Sequence, residues 1–417
     1  MAAWSGGCFC GSGMSKLVTG GRDALGCWMR SCLHWLDQRK GESAGMSDRV
    51  TLASFPQVAR FLCMAMVVVL AGCGRPALWS FADPIPGATI QPLYVATMRQ
   101  PEQGGKLFGK KRSNVMHYGR VDVSVPPVHK PGQLERGHRV ANPAWQFVPV
   151  AAREFRGVEA FLSAVGRARR NAKEPVFIFV HGYNNTLEDA ALRLAQIRQD
   201  FEIREPTILF SWPSAGQAVG YIYDRDSVLF ARDDFEMLLR DLSQRGHDEI
   251  FIMAHSMGGY LTMETLRQLA LKRERSVMNA IDGVVLMSPD IDPDVFRRQA
   301  QDIGRLPDPF VIMTARQDKA LSISGLLTGR KPRLGRISSA KEVEGLGVMV
   351  LDFTRLADGK NLDHLIPVTS SAAIRVLKGM QGTLEQGRNA LANYVVLGDE
   401  MLGSQIAAKA EAQGMTR

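Results

Sequence analysis

Short runs of apolar residues alternate along the chain with segments in which apolar residues recur every three or four positions. The short runs predict buried strands, because a strand covered on both faces has few polar positions. They lie at 176–180, 207–210, 250–253, 283–287, 310–314 and 348–352. The helical spacing recurs at 187–199, 227–242, 261–271 and 371–380. This alternation predicts an α/β fold, with a mostly parallel sheet and helices on both faces.

One predicted strand runs into a predicted helix through residues 249–259, Glu-Ile-Phe-Ile-Met-Ala-His-Ser-Met-Gly-Gly. A serine between small residues at such a junction is typical of a nucleophile elbow, a sharp turn that lifts the serine oxygen above the sheet. Ala254 stands where this motif usually has glycine, and Gly258 allows the two backbones to lie close together. Ser256 is therefore the candidate nucleophile. The alternative is a buried serine at an ordinary strand–helix turn.

A serine hydroxyl attacks nothing at neutral pH unless a base removes its proton, and here the base must be a histidine. In proteins built around this elbow, the acid and then the histidine follow the serine along the chain. His364 is the one histidine that follows Ser256; the others are at positions 34, 117, 129, 138, 181, 247 and 255. His364 is thus the candidate base, and the alternative is a histidine in a surface loop.

The acid should follow a strand that lies between Ser256 and His364, because a buried carboxylate orients the imidazole and stabilises its protonated form. Asp318 follows the apolar run 310–315, and Asp290 follows the run 283–288. The usual order and the loop position favour Asp318, with Asp290 as the second candidate. Asp292 and Asp294 precede an amphipathic run at 295–300, which predicts a helix-capping role for both.

The strand at 176–180 ends in His181-Gly-Tyr-Asn-Asn-Thr186. In elbow-containing hydrolytic enzymes, the loop after this strand gives one backbone N–H to the oxyanion hole, and the residue after the nucleophile gives the other. We therefore expect the amides of Tyr183 and Met257 to be the donors. His181 precedes Ser256 in the chain, so we expect it to orient this loop, while Thr186 is a candidate helix N-cap.

Taken together, these segments resemble a bacterial alpha/beta-hydrolase family of unknown function found among esterase- and lipase-like lipoproteins. The resemblance covers residues 90–380. It is carried by Tyr94-Val-Ala-Thr-Met-Arg99, residues 118–127, His181-Gly-Tyr-Asn-Asn, Ser211-Trp-Pro-Ser-Ala-Gly216, Tyr223-Asp224, the elbow, Pro289-Asp-Ile-Asp292, Asp318-Lys-Ala-Leu321 and Arg333-Leu-Gly335. It implies the alpha/beta-hydrolase fold and a Ser-Asp-His hydrolase. His364 departs from the expected pattern, because Leu-Asp-His-Leu stands where glycine, histidine and an aromatic residue are usual.

The first 73 residues carry all six cysteines, at positions 8, 10, 27, 32, 63 and 73. Arg60 precedes a short apolar run and then Leu-Ala-Gly-Cys73, which predicts a lipoprotein signal peptide at 46–72 and a lipid-anchored Cys73. Residues 1–45 are then an upstream-start artefact or disordered. The alternatives are a free cysteine in a signal anchor and, for the early cysteines, a zinc site whose spacing matches no standard finger.

The remaining chain is predicted to consist of a tether at 73–89, a strand-rich extension at 90–150, the hydrolase domain at 151–380 and a helical or disordered tail at 381–417. The net charge of +9 is dispersed apart from a cluster at 106–112, so we expect membrane phosphates and not nucleic acid as neighbours. No cofactor or metal is expected.

Two functions are consistent with the sequence. The favoured one is a serine hydrolase of the bacterial cell envelope that cleaves small-molecule or lipid esters or thioesters through an acyl-enzyme. The other is a non-catalytic envelope lipoprotein that uses the fold as a binding scaffold. Which membrane holds the anchor stays open.

Overall fold

The structure is a computed structural model, and it describes residues 80–102, 107–137, 140–247, 249–329, 331–356, 364–386 and 394–397. The chain divides into two units, Met1–Gly72 and Cys73–Arg417, and every described residue belongs to the second. The predicted signal peptide, Cys73 and the cysteines considered for zinc lie outside the described residues.

One sheet contains all ten described strands. They are β1 Thr89–Pro101, β2 Phe108–Val125, β3 Val148–Phe155, β4 Val176–Val180, β5 Thr207–Ser211, β6 Ile250–His255, β7 Ile281–Met287, β8 Phe310–Thr314, β9 Met349–Asp352 and β10 Tyr394–Val396. Their order is β10-β9-β8-β7-β6-β4-β5-β1-β2-β3. Neighbours are parallel from β10 to β1, while β2 is antiparallel to β1 and to β3. The parallel strands therefore end at one common edge of the sheet.

Nine described helices connect or follow these strands. They are α1 Val158–Ala168, α2 Leu187–Asp200, α3 Tyr221–Gln244, α4 Met257–Leu271, α5 Arg275–Asn279, α6 Pro293–Ile303, α7 Lys319–Leu327, α8 Ile366–Thr369 and α9 Ser371–Gln386. Thr186 caps α2 through a capping box with Asp189. Asp292 caps α6, as expected, whereas Asp294 lies inside the first turn of that helix and caps nothing.

Both faces of the sheet are covered, as the near-continuous apolar runs predict. Side chains alternate along each strand, so Val176, Ile178 and Val180 of β4 join one core. Phe177 and Phe179 of the same strand join the other core. The first core includes side chains of α1, α3, α4 and α6, and the second includes side chains of α2 and α9.

The six predicted strands and four predicted helices are all present, which confirms the predicted α/β arrangement. The sequence interpretation missed α1, α5, α7 and α8 and started α3 at 227, six residues late. Residues predicted as a strand-rich extension carry β1–β3, which continue the main sheet. Within the described ranges, no helix is long and apolar enough to cross a membrane.

Candidate active site

Ser256 lies at the tight turn between β6 and α4, in the centre of the sheet. Its backbone has φ 54° and ψ −119°, in the left-handed half of conformational space that residues with a side chain rarely enter. Its N–H donates to the carbonyl oxygen of Met287 on the adjacent strand at 2.9 Å. A residue held this way costs about 1–3 kcal/mol, and such strain is concentrated at functional sites.

Two glycines allow neighbouring segments to approach Ser256. A side chain at Gly258 would place its Cβ 2.5 Å from the carbonyl oxygen of His181 and 2.6 Å from that of Val180. A Cβ at Gly182 would lie 2.9 Å from the Cβ of Ser256 and 2.6 Å from Nδ1 of His255. The loop after β4 is therefore packed directly against the elbow, and the small residues of the motif have a steric cause.

Asp318 and His364 meet in the structure, although 46 residues separate them. Nδ1 of His364 lies 2.6 Å from Oδ2 of Asp318, at the end of β8. The other oxygen, Oδ1, accepts the backbone N–H of Leu321 at 2.9 Å, so Asp318 also caps α7. The carboxyl group is fully buried. These contacts fix the acid in place and direct it at the imidazole.

His364 also lies beside the elbow. Its ring centroid is 4.6 Å from that of His255, the residue before Ser256. Burial, followed by the nearby charge of His364, holds the pKa of His255 well below its ordinary value, so His255 stays neutral. The described contacts do not include a hydrogen bond between the Ser256 hydroxyl and His364. Bonds of this kind commonly tighten only when substrate binds.

Asp290, the second candidate for the acid, is occupied elsewhere. It forms a buried ion pair with Arg333, whose Nε lies 3.0 Å from Oδ1. The hydroxyls of Tyr221 and Ser324 donate to its two oxygens at 2.9 Å and 2.8 Å. The geometry thus places Asp318, and not Asp290, next to His364.

The two residues expected to supply oxyanion donors flank Ser256. Met257 is the first residue of α4, so helix geometry gives its N–H no intrahelical acceptor. Tyr183 follows Gly182 in the loop packed against the elbow, and its ring packs edge-on against Tyr221 at 5.4 Å. The loop that carries Tyr183 and the first turn of α4 therefore both border the nucleophile.

His181 has the structural role expected for it. Its ring is buried and stacks on Trp212 at 4.9 Å, and the Trp212 indole N–H donates to the His181 carbonyl at 2.7 Å. Burial, with the charge of Arg99, lowers the pKa of His181 to about 3. A histidine that is neutral and enclosed in this way orients the loop and does not serve as the base.

A buried polar network that sequence reasoning did not assign holds the same loop. Arg99 is fully buried and donates to the Asn185 carbonyl at 2.9 Å, to the Ser211 hydroxyl at 2.9 Å and to the Ser214 carbonyl at 3.1 Å. Burial lowers its pKa to about 10, against the attraction of Asp224. Asp224 in turn accepts the N–H of Asn184 at 3.0 Å. Arg99 and Asp224 belong to the motifs that carried the resemblance, which was the available signal.

A second histidine–carboxylate cluster lies away from the elbow. Nδ1 of His129 is 2.8 Å from Glu135, and Nε2 is 2.7 Å from Asp200. Desolvation lowers the pKa of His129, but the hydrogen bonds to Asp200 and Glu135 outweigh it and leave the pKa raised. Gln196 connects Asp200 to the carbonyl of Val368, in the short helix that follows His364.

A cavity of about 450 Å³ is found at the opposite edge of the sheet from Ser256. It is lined by residues that precede β4 and β6, including Arg169, Asn171, Arg245 and His247. Arg169 already donates to the carbonyls of Glu174 and Gly246, and Arg245 pairs with Glu159. In the part of the chain that the structure describes, no group of three or more histidine, cysteine or acidic side chains is arranged to hold a metal ion.

The chain is similar to solved structures of esterases and other hydrolases. EstE1, a thermophilic carboxylesterase cloned from a metagenomic library, is 12% identical with a TM-score of 0.34, over 81% of this chain and 99% of that one. Brefeldin A esterase, a bacterial homologue of human hormone sensitive lipase, is 12% identical with a TM-score of 0.35, over 85% and 93%. A predicted hydrolase from Thermoplasma acidophilum is 14% identical with a TM-score of 0.33, over 73% and 100%.

No curated protein matches the chain. Residues 160–381, just over half of the chain, match the family described as alpha/beta hydrolase of unknown function (DUF900). That range contains the elbow, the strands on both sides of it, and the loops that carry Asp318 and His364. The protein therefore has the alpha/beta-hydrolase fold and belongs to the alpha/beta hydrolases of unknown function (DUF900).

Proposed function

We propose that this protein is a serine hydrolase that cleaves carboxylic esters or thioesters through an acyl-enzyme. The observation that carries the proposal is the 2.6 Å contact between His364 Nδ1 and the buried Asp318, next to a strained serine at the end of the central strand. Serine hydrolysis needs a serine on a strained turn, a buried acid, and an imidazole whose second nitrogen can take a proton.

The proposed reaction begins when Ser256 Oγ attacks the substrate carbonyl carbon and His364 Nε2 takes the hydroxyl proton. Asp318 stabilises the imidazolium through Nδ1. The carbonyl oxygen becomes an oxyanion that accepts the N–H groups of Met257 and Tyr183, each worth about 3–4 kcal/mol in the transition state. Collapse of this intermediate breaks the bond to the alcohol or thiol, and His364 gives its proton to that leaving group.

Water completes the cycle. His364 takes a proton from water as the water attacks the acyl-enzyme, and it returns that proton to Ser256 as the acid product leaves. No cofactor enters this scheme. A carboxylate nucleophile, which dehalogenase chemistry requires, is absent from the elbow because serine occupies that position.

A fluorophosphonate probe tests the proposal directly. We expect it to label the wild-type protein and to spare Ser256→Ala. Ser288 is a matched control, because it directly follows the adjacent strand β7, has φ 46° and is fully buried. Ser288→Ala should be labelled as the wild type is. An unlabelled wild type that is folded would instead favour the binding scaffold, and a panel of ester chain lengths would define the acyl group.

The cell-envelope location is also part of this proposal. Its support is the Leu-Ala-Gly-Cys73 motif after a short apolar run. Metabolic labelling with a palmitate analogue should mark the wild type and spare Cys73→Ser. Equal labelling of the two proteins, or an unlabelled wild type, would contradict lipid attachment at Cys73.

A further inference from the structure

Two surface segments next to the candidate site expose large apolar side chains. In the first, Val219 is 81% exposed and Ile222 is 78% exposed, where α3 begins. In the second, Ile323, Leu326 and Leu327 of α7 are 56%, 60% and 61% exposed. We call these five side chains the apolar rim. Grouped exposure of this kind marks an interaction surface more often than scattered exposure does.

Each half of the apolar rim is connected to a candidate catalytic residue by a hydrogen bond or by the chain itself. The Tyr183 hydroxyl donates to the carbonyl of Ala218, next to Val219, and its ring packs on Tyr221, next to Ile222. On the other side, α7 begins directly after Asp318, which caps it. The rim therefore borders the oxyanion loop on one side and the acid on the other.

The buried carboxylate of Asp290 joins the two halves to each other. It accepts the hydroxyl of Tyr221 from α3 and the hydroxyl of Ser324 from α7. Tyr221 precedes Ile222, and Ser324 follows Ile323, so each bond fixes the backbone beside an exposed apolar residue. The two halves of the rim are thus connected to each other through one buried carboxylate.

Positive charge accompanies the rim. From Lys319 to Lys341 the sequence has six basic residues and no acidic one, although one of the six, Arg333, is buried and paired with Asp290. Lys319 and Lys331 are exposed. Lys331 is also adjacent to α7, because a Cβ at Gly325 would lie 2.9 Å from its carbonyl oxygen. Apolar side chains flanked by lysines match an anionic membrane surface, with acyl chains below and phosphates above.

We propose that the apolar rim docks on anionic phospholipid membranes and that the enzyme cleaves acyl esters held in such a membrane. Docking brings the start of α7 and the loop that carries Tyr183 against the lipid, so that an acyl ester reaches Ser256 without crossing bulk water. The substrate class rests on the proposed serine hydrolase function, whereas membrane docking is measured independently of catalysis.

The test compares full-length Leu326→Asp/Leu327→Asp with Leu271→Asp. Leu271 is a matched control, because it is also 60% exposed but ends α4, at the far edge of the sheet from Ser256. All variants keep the same N-terminal segment, so differences between them report the substituted site. The probes are vesicles of phosphatidylcholine alone and of phosphatidylcholine with phosphatidylglycerol.

We expect the double variant to bind the anionic vesicles about tenfold or more weakly than the wild type, since two leucines no longer enter the acyl layer. Leu271→Asp should bind as the wild type does. Anionic vesicles should also slow amide hydrogen exchange in residues 319–329 of the wild type. Lys331→Glu should reduce the preference for anionic over neutral vesicles, and added salt should do the same.

Activity assays distinguish failure of docking from failure of the proposed function. The double variant should lose turnover of a long-chain ester in vesicles while it keeps fluorophosphonate labelling and turnover of a soluble short-chain ester. Vesicle binding and hydrogen exchange remain measurable even if Ser256 proves inert. Equal vesicle binding by the double variant and the wild type would overturn the proposal. So would a wild-type dimer that the double variant disrupts without a change in vesicle binding.

Discussion

His364 and His129 both bond to buried carboxylates, but the two regions differ in how many ring nitrogens are occupied. His364 uses Nδ1 for Asp318, and the described contacts give its Nε2 no partner. His129 uses both nitrogens, one for Glu135 and one for Asp200. An imidazole with a vacant nitrogen can pass a proton to a substrate. One held at both nitrogens is a doubly donating cation that joins two acidic segments.

The difference shows why a histidine–carboxylate contact alone does not identify a catalytic pair. The hydrogen bonds that raise the pKa of His129 favour its protonated form, which donates through both nitrogens and has no nitrogen free to accept a proton. His181 is a third case, because it is buried without a carboxylate bond and its pKa is lowered to about 3. His364 is the candidate base because it lies beside the elbow and because one of its ring nitrogens has no described partner.

The largest expected effect comes from removing the charge beside His364. Asp318→Asn should lower kcat about 10⁴-fold, because the amide no longer stabilises the imidazolium or its tautomer. Asp200→Asn is the matched change beside His129, and it should leave kcat within about threefold, since Asp200 contacts no candidate catalytic group. The test is to measure kcat for a soluble ester with the two folded variants and with the wild type. Equal losses would remove the distinction between the two histidines.

A change at His129 itself should affect stability and not chemistry. His129→Gln leaves two largely buried carboxylates without their cation, which should cost about 3–5 kcal/mol of unfolding free energy near pH 6. Because the folded-state pKa of His129 is raised, its contribution is complete below its unfolded pKa and is lost as pH rises through the folded pKa. The difference from the wild type should therefore shrink toward pH 9.

Urea unfolding at pH 6 and at pH 9 checks this expectation, with kcat measured on the folded variant as a control. A stability difference that grows with pH would contradict the protonated state assigned to His129. A large loss of kcat at unchanged stability would place His129 in the catalytic machinery.

The smallest expected effect separates the two candidate acids. Asp290→Asn should lower the unfolding free energy by about 2 kcal/mol, because Arg333 loses its buried counter-charge and the amide keeps one acceptor oxygen for the two hydroxyls of Tyr221 and Ser324. Its kcat should change far less than that of Asp318→Asn. Thermal unfolding and ester turnover of the two variants, measured side by side, test this, and a greater loss of kcat in Asp290→Asn would reverse the assignment.

Much of the fold could be predicted because the central strands are apolar on both faces. β8 lies where its run of five apolar or small residues predicts it. α7 was missed because Ile323, Leu326 and Leu327 point outward, so its apolar residues do not mark a buried face. The first turns of α3 were missed because Tyr221 and Asp224 are anchored by buried hydrogen bonds and not by apolar spacing.

The candidate site was predictable where chain order and motif constrain it. Ser256 followed from the elbow, and His364 followed from its position after that serine. The contact between Asp318 and His364 could not be predicted from the sequence, because the path of the chain between these two residues is not encoded in any local motif. Arg99 could not be assigned from the sequence, since a buried arginine in a strand is stable only with partners such as the Asn185 and Ser214 carbonyls, which come from distant segments.

The tight packing of Gly182 and Gly258 against the elbow limits which substitutions the proposed active site can accept. A Cβ at Gly258 would collide with backbone carbonyls, and one at Gly182 would collide with the His255 ring and the Cβ of Ser256, so a substitution at either position displaces the elbow or its neighbours. Substitutions that change the proposed substrate preference are therefore expected farther out, where α3 and α7 begin and side chains are exposed. In this architecture the positions around Ser256 accept few substitutions, whereas the exposed positions around the site accept many.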